Sequence, residues 1–77
     1  MALIRKFSTL TSERTQLHDE VEARWAAYQI DGVGFVQINT YGKPDRQFPD
    51  KVSQAIQLDR TAAEQLVAIL RKEFRLP

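Results

Sequence analysis

The side chains that most often carry catalysis are scarce in this chain. Its one histidine, His18, lies beside Asp19 and Glu20 in a polar segment, and the chain has no cysteine. A histidine acts as a general base only with a nucleophile within reach, and no serine or threonine stands at a spacing typical of one. A single histidine without cysteine also falls short of a zinc ligand set. We therefore expect no enzyme activity, no metal and no cofactor.

Glycines offer a second kind of chemistry, the cradling of phosphates. The chain has three of them, at positions 32, 34 and 42, and they form neither a GxGxxG nor a GxxxxGK pattern. Nucleotide hydrolysis is therefore not expected. The pair Asp31 and Gly32, followed by Gly34, is instead typical of a tight turn that leads into a strand.

A third kind of chemistry, the binding of unpaired bases, needs flat side chains for stacking and cations for phosphates. In the segment 35–41, alternate positions place rings and amides on one face of a strand, namely Phe35, Gln37, Asn39 and Tyr41. If the opposite face packs under a helix, this face points outward. Two interpretations stay open: these rings stack on bases, or together with Trp25 they complete a dimer interface or a second layer.

Cations flank the loop that follows this strand. Residues 42–51 hold two prolines and no periodicity, which indicates a loop too long for a tight hairpin. Two acids within the loop, Asp45 and Asp50, partly cancel its cations. Arg5, Lys6 and Arg24 extend a basic face only if their strands place them on the side of Tyr41. The candidate nucleic-acid site comprises Phe35, Gln37, Asn39, Tyr41, Lys43, Arg46, Lys51 and Ser53.

The clearest element that would position this site is a C-terminal helix, predicted over residues 60–74. Asp59 can accept hydrogen bonds from the amides of its first turn. Apolar residues recur at helical spacing, at Ala63, Leu66, Val67, Leu70 and Phe74. Basic residues near the C-terminal end complement the helix dipole.

Strands are predicted before the helix. Residues 52–58 alternate as a half-buried strand, and residues 3–10 are consistent with a first strand, followed by a polar connector. Residues 21–30 fit either a strand or a helix, and the turn at 31–32 favours a strand. The sequence thus predicts one α+β domain over residues 1–77, with a four-stranded antiparallel sheet followed by a C-terminal helix (β-β-β-β-α).

Size and composition bear on assembly and location. A chain of 77 residues without cysteine buries only about 60% of the surface that its unfolded form exposes, so a homodimer is the expected source of stability. The predicted dimer interface comprises Leu66, Ile69, Leu70 and Phe74. No apolar run reaches the ~20 residues of a membrane span, and the first residues lack the order of a secretion signal, which favours a cytoplasmic protein. The net charge of +1 neither favours nor excludes a polyanionic partner.

The second half of the chain follows the pattern of a known family. The pattern consists of VQINTY at 36–41, a polar loop, KVSQAIQLD at 51–59 and a helix that opens with AAEQL at 62–66. Over residues 35–70 it resembles the single-stranded-DNA-binding fold of the transcriptional coactivator positive cofactor four and its small bacterial relatives. The predicted order of elements agrees with that fold.

This resemblance implies a homodimer formed through helix and sheet contacts. It also implies that the outer sheet faces and loops hold single strands or melted duplex with little sequence preference. Transferred to this chain, Tyr41 would be a stacking platform and Lys51 would contact phosphates. Lys43 and Arg46 lie in a loop of similar position.

The chain is also similar to short bacterial proteins that carry the label methionyl-tRNA formyltransferase. That activity requires a large folate-binding domain with its own Asn, His and Asp, which 77 residues with one histidine do not supply. We therefore expect a protein that binds single-stranded nucleic acid, DNA or RNA, in a transcription- or DNA-related role. The alternative is a protein-interaction module or accessory subunit that uses the same sheet face.

Overall fold

The computed structural model describes residues 1–11, 15–42 and 51–77, which form four strands and one helix. The predicted α+β class is confirmed, and the segment 21–30 forms a strand, as favoured, over residues 23–30. Part of the polar connector and most of the long loop, with Lys43 and Arg46, lie outside the described residues. The elements are β1 (Ala2–Ile4), β2 (Ala23–Ile30), β3 (Val33–Tyr41), β4 (Val52–Leu58) and α1 (Arg60–Phe74).

A two-residue turn joins β2 and β3 into an antiparallel hairpin. Asp31 and Gly32 both adopt positive φ, 52° and 79°, as the turns that match the twist of a hairpin require. The register places Ile30 opposite Val33 and Ala23 opposite Thr40. The turn predicted from Asp31 and Gly32 is therefore confirmed.

The sheet has the order β1-β4-β3-β2, and β1 lies parallel to β4. The prediction of a fully antiparallel sheet was wrong at this strand. Side-chain alternation fixes the faces of a strand but not its neighbour, and β1 pairs with the last strand rather than with β2. The predicted strand over residues 3–10 is also shorter, because the chain leaves the sheet after Ile4 and the Phe7 N–H donates to Gln65 Oε1 of α1 at 2.9 Å.

Side chains alternate along each strand, so the sheet has two chemically different faces. Helix α1 lies against one of these faces, where Ala63 of the helix and Leu58, Ala27 and Val36 of the sheet border a common groove. We call this sheet face the apolar face, and it comprises Ile4, Trp25, Ala27, Val36, Ile38, Ile56 and Leu58. The other, the amide face, comprises Leu3, Arg24, Tyr28, Phe35, Gln37, Asn39, Tyr41, Ala55 and Gln57.

The start of α1 is held by Asp59, as predicted. Its carboxylate accepts from the Ala62 N–H at 2.9 Å and pairs with Arg5 at 3.2 Å. The helix ends at Phe74, where Arg75 turns into the left-handed region. Arg71 and Lys72 occupy the last turn, in favourable contact with the helix dipole.

The described residues bury little apolar surface in the single chain. Among the described residues, the buried apolar side chains are Ala55, Leu58 and Ala62. Trp25 on the apolar face is 74% exposed, and Phe74 at the end of α1 is 69% exposed. The first turns of α1 therefore pack on β4, while the rest of the helix and much of the apolar face remain uncovered.

Candidate nucleic-acid interface

A chain of hydrogen bonds crosses the amide face from β4 to β3 through β2. Gln57 Nε2 donates to the Tyr28 hydroxyl, which donates to Gln37 Oε1 at 2.9 Å. Gln37 Nε2 in turn donates to Asn39 Oδ1 at 2.9 Å, and Gln57 Nε2 also reaches Gln37 Oε1 at 3.4 Å. We call these four residues the amide array. They are half-buried and uncharged, and they form one polar surface across three strands.

The strand register explains why these four side chains meet. Gln37 lies opposite Gln57 in β4, and Tyr28 lies opposite Phe35, two positions along β3 from Gln37. Side chains that are opposite or diagonal on one sheet face are within reach of each other. The array therefore follows from the alternation of polar residues in three strands that the fold brings together.

An aromatic pair lies at the hairpin end of the array, formed by Tyr28 of the array and its neighbour Phe35. The rings of Tyr28 and Phe35 have centroids 6.3 Å apart and are tilted by 32°. This separation is within the range of favourable aromatic pairs. Both rings are half-buried, so part of their surface stays open to a planar ligand.

At the other end of β3, a cation lies over a ring. The Arg24 guanidinium carbon is 4.4 Å from the centroid of the Tyr41 ring, and Arg24 Nε lies 3.3 Å from Glu22 Oε1. Tyr41 thus supports Arg24 on one side of its ring. A base that approaches this side meets the guanidinium plane first, and such planes are themselves stacking surfaces for bases.

Of the three predicted loop cations, the structure describes Lys51, which lies near the Tyr41 end of β3. Lys51 is exposed and directly precedes β4, whose first residue, Val52, lies opposite Tyr41. A register shift between Thr40 and Tyr41 leaves Ser53 without a paired residue in β3. Arg5, by contrast, pairs with Asp59 at the start of α1.

The sequence-based site contained Phe35, Gln37, Asn39 and Tyr41, and the structure places all four on the amide face. It missed three residues of the same face, namely Arg24, Tyr28 and Gln57. The alternation of residues 21–30 had already grouped Arg24 with Tyr28, and that of residues 52–58 had assigned Gln57 to the parity opposite Ile56. Only the pairing of the strands shows which of these faces coincide.

The described part of the chain offers few residues for a catalytic or metal site. His18 is exposed, and no group of three or more His, Cys, Asp or Glu side chains there could hold a metal ion. Over the same residues, no helix combines the length and apolar character needed to cross a bilayer. Comparisons of the chain with protein-family models, curated proteins and solved structures gave no match.

Proposed function

We propose that this chain binds single-stranded nucleic acid on its amide face, as a cytoplasmic homodimer without catalytic activity. The observation that carries the proposal is the composition of that face. It combines the hydrogen-bonding amide array with the Tyr28–Phe35 ring pair at the hairpin end, and with Tyr41, Arg24 and Lys51 at the other end of β3. Rings and guanidinium planes stack on bases, amides bond base edges, and cations neutralise phosphates.

The charge of the amide face supports a polyanion as its ligand. The residues that define this face carry no carboxylate, and Arg24 carries a positive charge that the neighbouring Glu22 carboxylate, 3.3 Å from Arg24 Nε, partly offsets. Lys51 adds a second cation beyond Tyr41. From Phe35 to Tyr41 the face extends along β3 for about 20 Å, which gives an extended strand several points of contact.

The homodimer is supported by the surface that one chain leaves uncovered. Several exposed apolar side chains lie on α1, just beyond its end and on the apolar face, at Val67, Ile69, Leu70, Phe74, Leu76 and Trp25. A second copy that covers them leaves the amide face free.

The test is fluorescence anisotropy of a labelled, mixed-sequence single strand, titrated with the full chain at several salt concentrations. We expect binding that weakens steeply with salt and resists competition by duplex of the same sequence. Lys51→Ala is expected to lower the salt slope by about one unit, because it removes one phosphate contact. Tyr41→Ala is expected to weaken binding by about 1–3 kcal/mol with little change of slope, because it removes stacking and the support of Arg24.

Trp25 provides a control for the face that is used. It is the only tryptophan and lies on the apolar face, so a strand bound to the amide face should leave its emission unchanged. Strong quenching of Trp25 by the oligonucleotide would contradict the assignment. Failure of all strands to bind at low salt would favour a protein-interaction module instead.

A further inference from the structure

A hollow of about 170 Å³ opens on the amide face where β1, β4 and β3 meet. Leu3 and Ala55 give it apolar walls, and Gln37 and Gln57 bring two members of the amide array to its border. A cavity of about 150 Å³ is enough to hold one benzene ring. The hollow therefore has room for a single six-membered ring between apolar side chains and amides.

The amide array has unused hydrogen-bonding capacity at its two ends. Gln57 donates two hydrogen bonds, both from Nε2, which leaves its Oε1 as an acceptor. Asn39 accepts through Oδ1, which leaves the two hydrogens of Nδ2 as donors, and Gln37 Nε2 retains one further hydrogen. A ligand in the hollow can thus meet an acceptor on Gln57 and a donor on Gln37.

We propose that this hollow takes one unpaired pyrimidine base, whose edge is hydrogen-bonded by Gln57 and Gln37. The inference rests on the proposed function and adds a preference for pyrimidines over purines. Size supplies that preference, because the hollow suits one ring and a purine has two fused rings. Leu3 and Ala55 contact the faces of the base, and the amides bond the groups around its ring.

Thymine, uracil and cytosine all fit, because the hydrogen bonds of the array can reverse together. The Tyr28 hydroxyl can donate to Gln57 Oε1 instead of Gln37 Oε1, and rotation of the amides of Gln57, Gln37 and Asn39 completes the exchange. Gln57 then offers a donor where it had offered an acceptor. Cytosine and thymine differ in this way, with an amino donor at one position where thymine carries a carbonyl acceptor.

The experiment compares four labelled single strands of equal length with the full chain at one salt concentration: oligo(dT), oligo(dC), oligo(dA) and an abasic strand. We expect equal affinity for oligo(dT) and oligo(dC) to within about threefold and weaker binding of oligo(dA) by about five- to tenfold. Gln57→Leu should weaken binding of the two pyrimidine strands by about three- to tenfold, weaken oligo(dA) by less, and leave the abasic strand, which presents no base edge, unchanged.

A matched control lies three residues away in the same strand. Gln54 is exposed and pairs with Thr40, so it lies on the opposite side of the sheet from Gln57. Gln54→Leu should leave all four affinities unchanged. If Gln57→Leu does not fold, Tyr28→Phe keeps the ring, removes the hydroxyl at the centre of the array and carries the same expectation.

The outcomes separate this inference from the proposed function. Binding with equal affinity for oligo(dA) and the pyrimidine strands overturns the pyrimidine hollow and leaves the nucleic-acid proposal standing. An equal loss on all four strands in Gln57→Leu overturns it as well, since the side chain would then act on the fold. A difference above about tenfold between oligo(dT) and oligo(dC) overturns the reversible array. No binding of any strand overturns both proposals.

Discussion

At the scale of single residues, Asp59 links the sheet to the helix. Its carboxylate caps the Ala62 amide and pairs with Arg5, so one side chain holds the start of α1 and the segment after β1. The two contacts contribute unequally to the free energy of unfolding. Arg5 is 70% exposed, and exposed ion pairs contribute about 0–1 kcal/mol, whereas a lost helix cap costs about 0.5–2 kcal/mol.

Substitution of Asp59 should reveal this difference. Asp59→Ala is expected to lower the free energy of unfolding by about 1 kcal/mol. Asp59→Asn keeps an oxygen for the Ala62 amide and loses only the charge, so its effect should be a few tenths of a kcal/mol. Urea unfolding monitored by circular dichroism measures both values. Equal losses in the two variants would assign the stabilisation to the ion pair.

At the scale of elements, the β2–β3 hairpin carries six of the residues that define the amide face. Its register decides whether Tyr28 meets Gln37 and whether Arg24 meets Tyr41, and a slip of one residue would move each side chain of β2 to the other face. The turn at Asp31 and Gly32 fixes that register. The stability of the turn and the integrity of the amide array are therefore coupled.

Two glycines of the hairpin form a matched pair for testing this coupling. Gly32 has φ of +79°, whereas Gly34 lies in β3, and a Cβ added at either position meets no atom within 4 Å. Gly32→Ala should lower the free energy of unfolding by about 1 kcal/mol through backbone strain alone. Gly34→Ala should be neutral or stabilise by up to about 1 kcal/mol. Thermal unfolding of the two variants checks this, and equal destabilisation would contradict the turn assignment.

At the scale of the whole molecule, the uncovered apolar surface is the basis of the proposed homodimer. Phe74 is 69% exposed on a helix whose last turns leave the sheet, and Trp25 is 74% exposed on the apolar face. Burial of one large apolar side chain contributes about 1.5–3 kcal/mol, and a two-fold symmetric interface buries each one twice. Self-association therefore offers a chain of 77 residues the stability that its own core lacks.

If the proposed homodimer forms, removal of the Phe74 ring should weaken it without affecting the packed part of the monomer. Phe74→Ser is expected to raise the dissociation constant at least about tenfold, and Lys72→Ser, two positions away, should leave it unchanged. Sedimentation equilibrium gives both constants, with twice 8.9 kDa expected for the parent chain. Dilution to monomer should shift the emission of Trp25 to longer wavelength. A parent chain that stays monomeric at tens of micromolar would contradict the homodimer.

Local patterns in the sequence were sufficient to predict most of the helix and strand positions. The bounds of α1 and β4, the Asp59 cap, the turn at 31–32 and the grouping of Phe35, Gln37, Asn39 and Tyr41 were all predicted correctly. Each depends on residues close together in the chain, through helical periodicity, strand alternation, capping or turn conformation. The same local interactions act in the folded protein, and tertiary contacts do not change the conformation that these segments prefer.

The tertiary structure alone decided which strands are neighbours. The parallel pairing of β1 with β4 joins residues 54 apart in the sequence, from Ala2 to Ile56, and no local pattern encodes it. The same holds for the meeting of Tyr28, Gln37 and Gln57, which come from three strands. Alternation determines the two faces of a strand, whereas contacts distant in sequence determine which faces are joined. The amide array and the hollow beside it depend on which strand faces the tertiary contacts join.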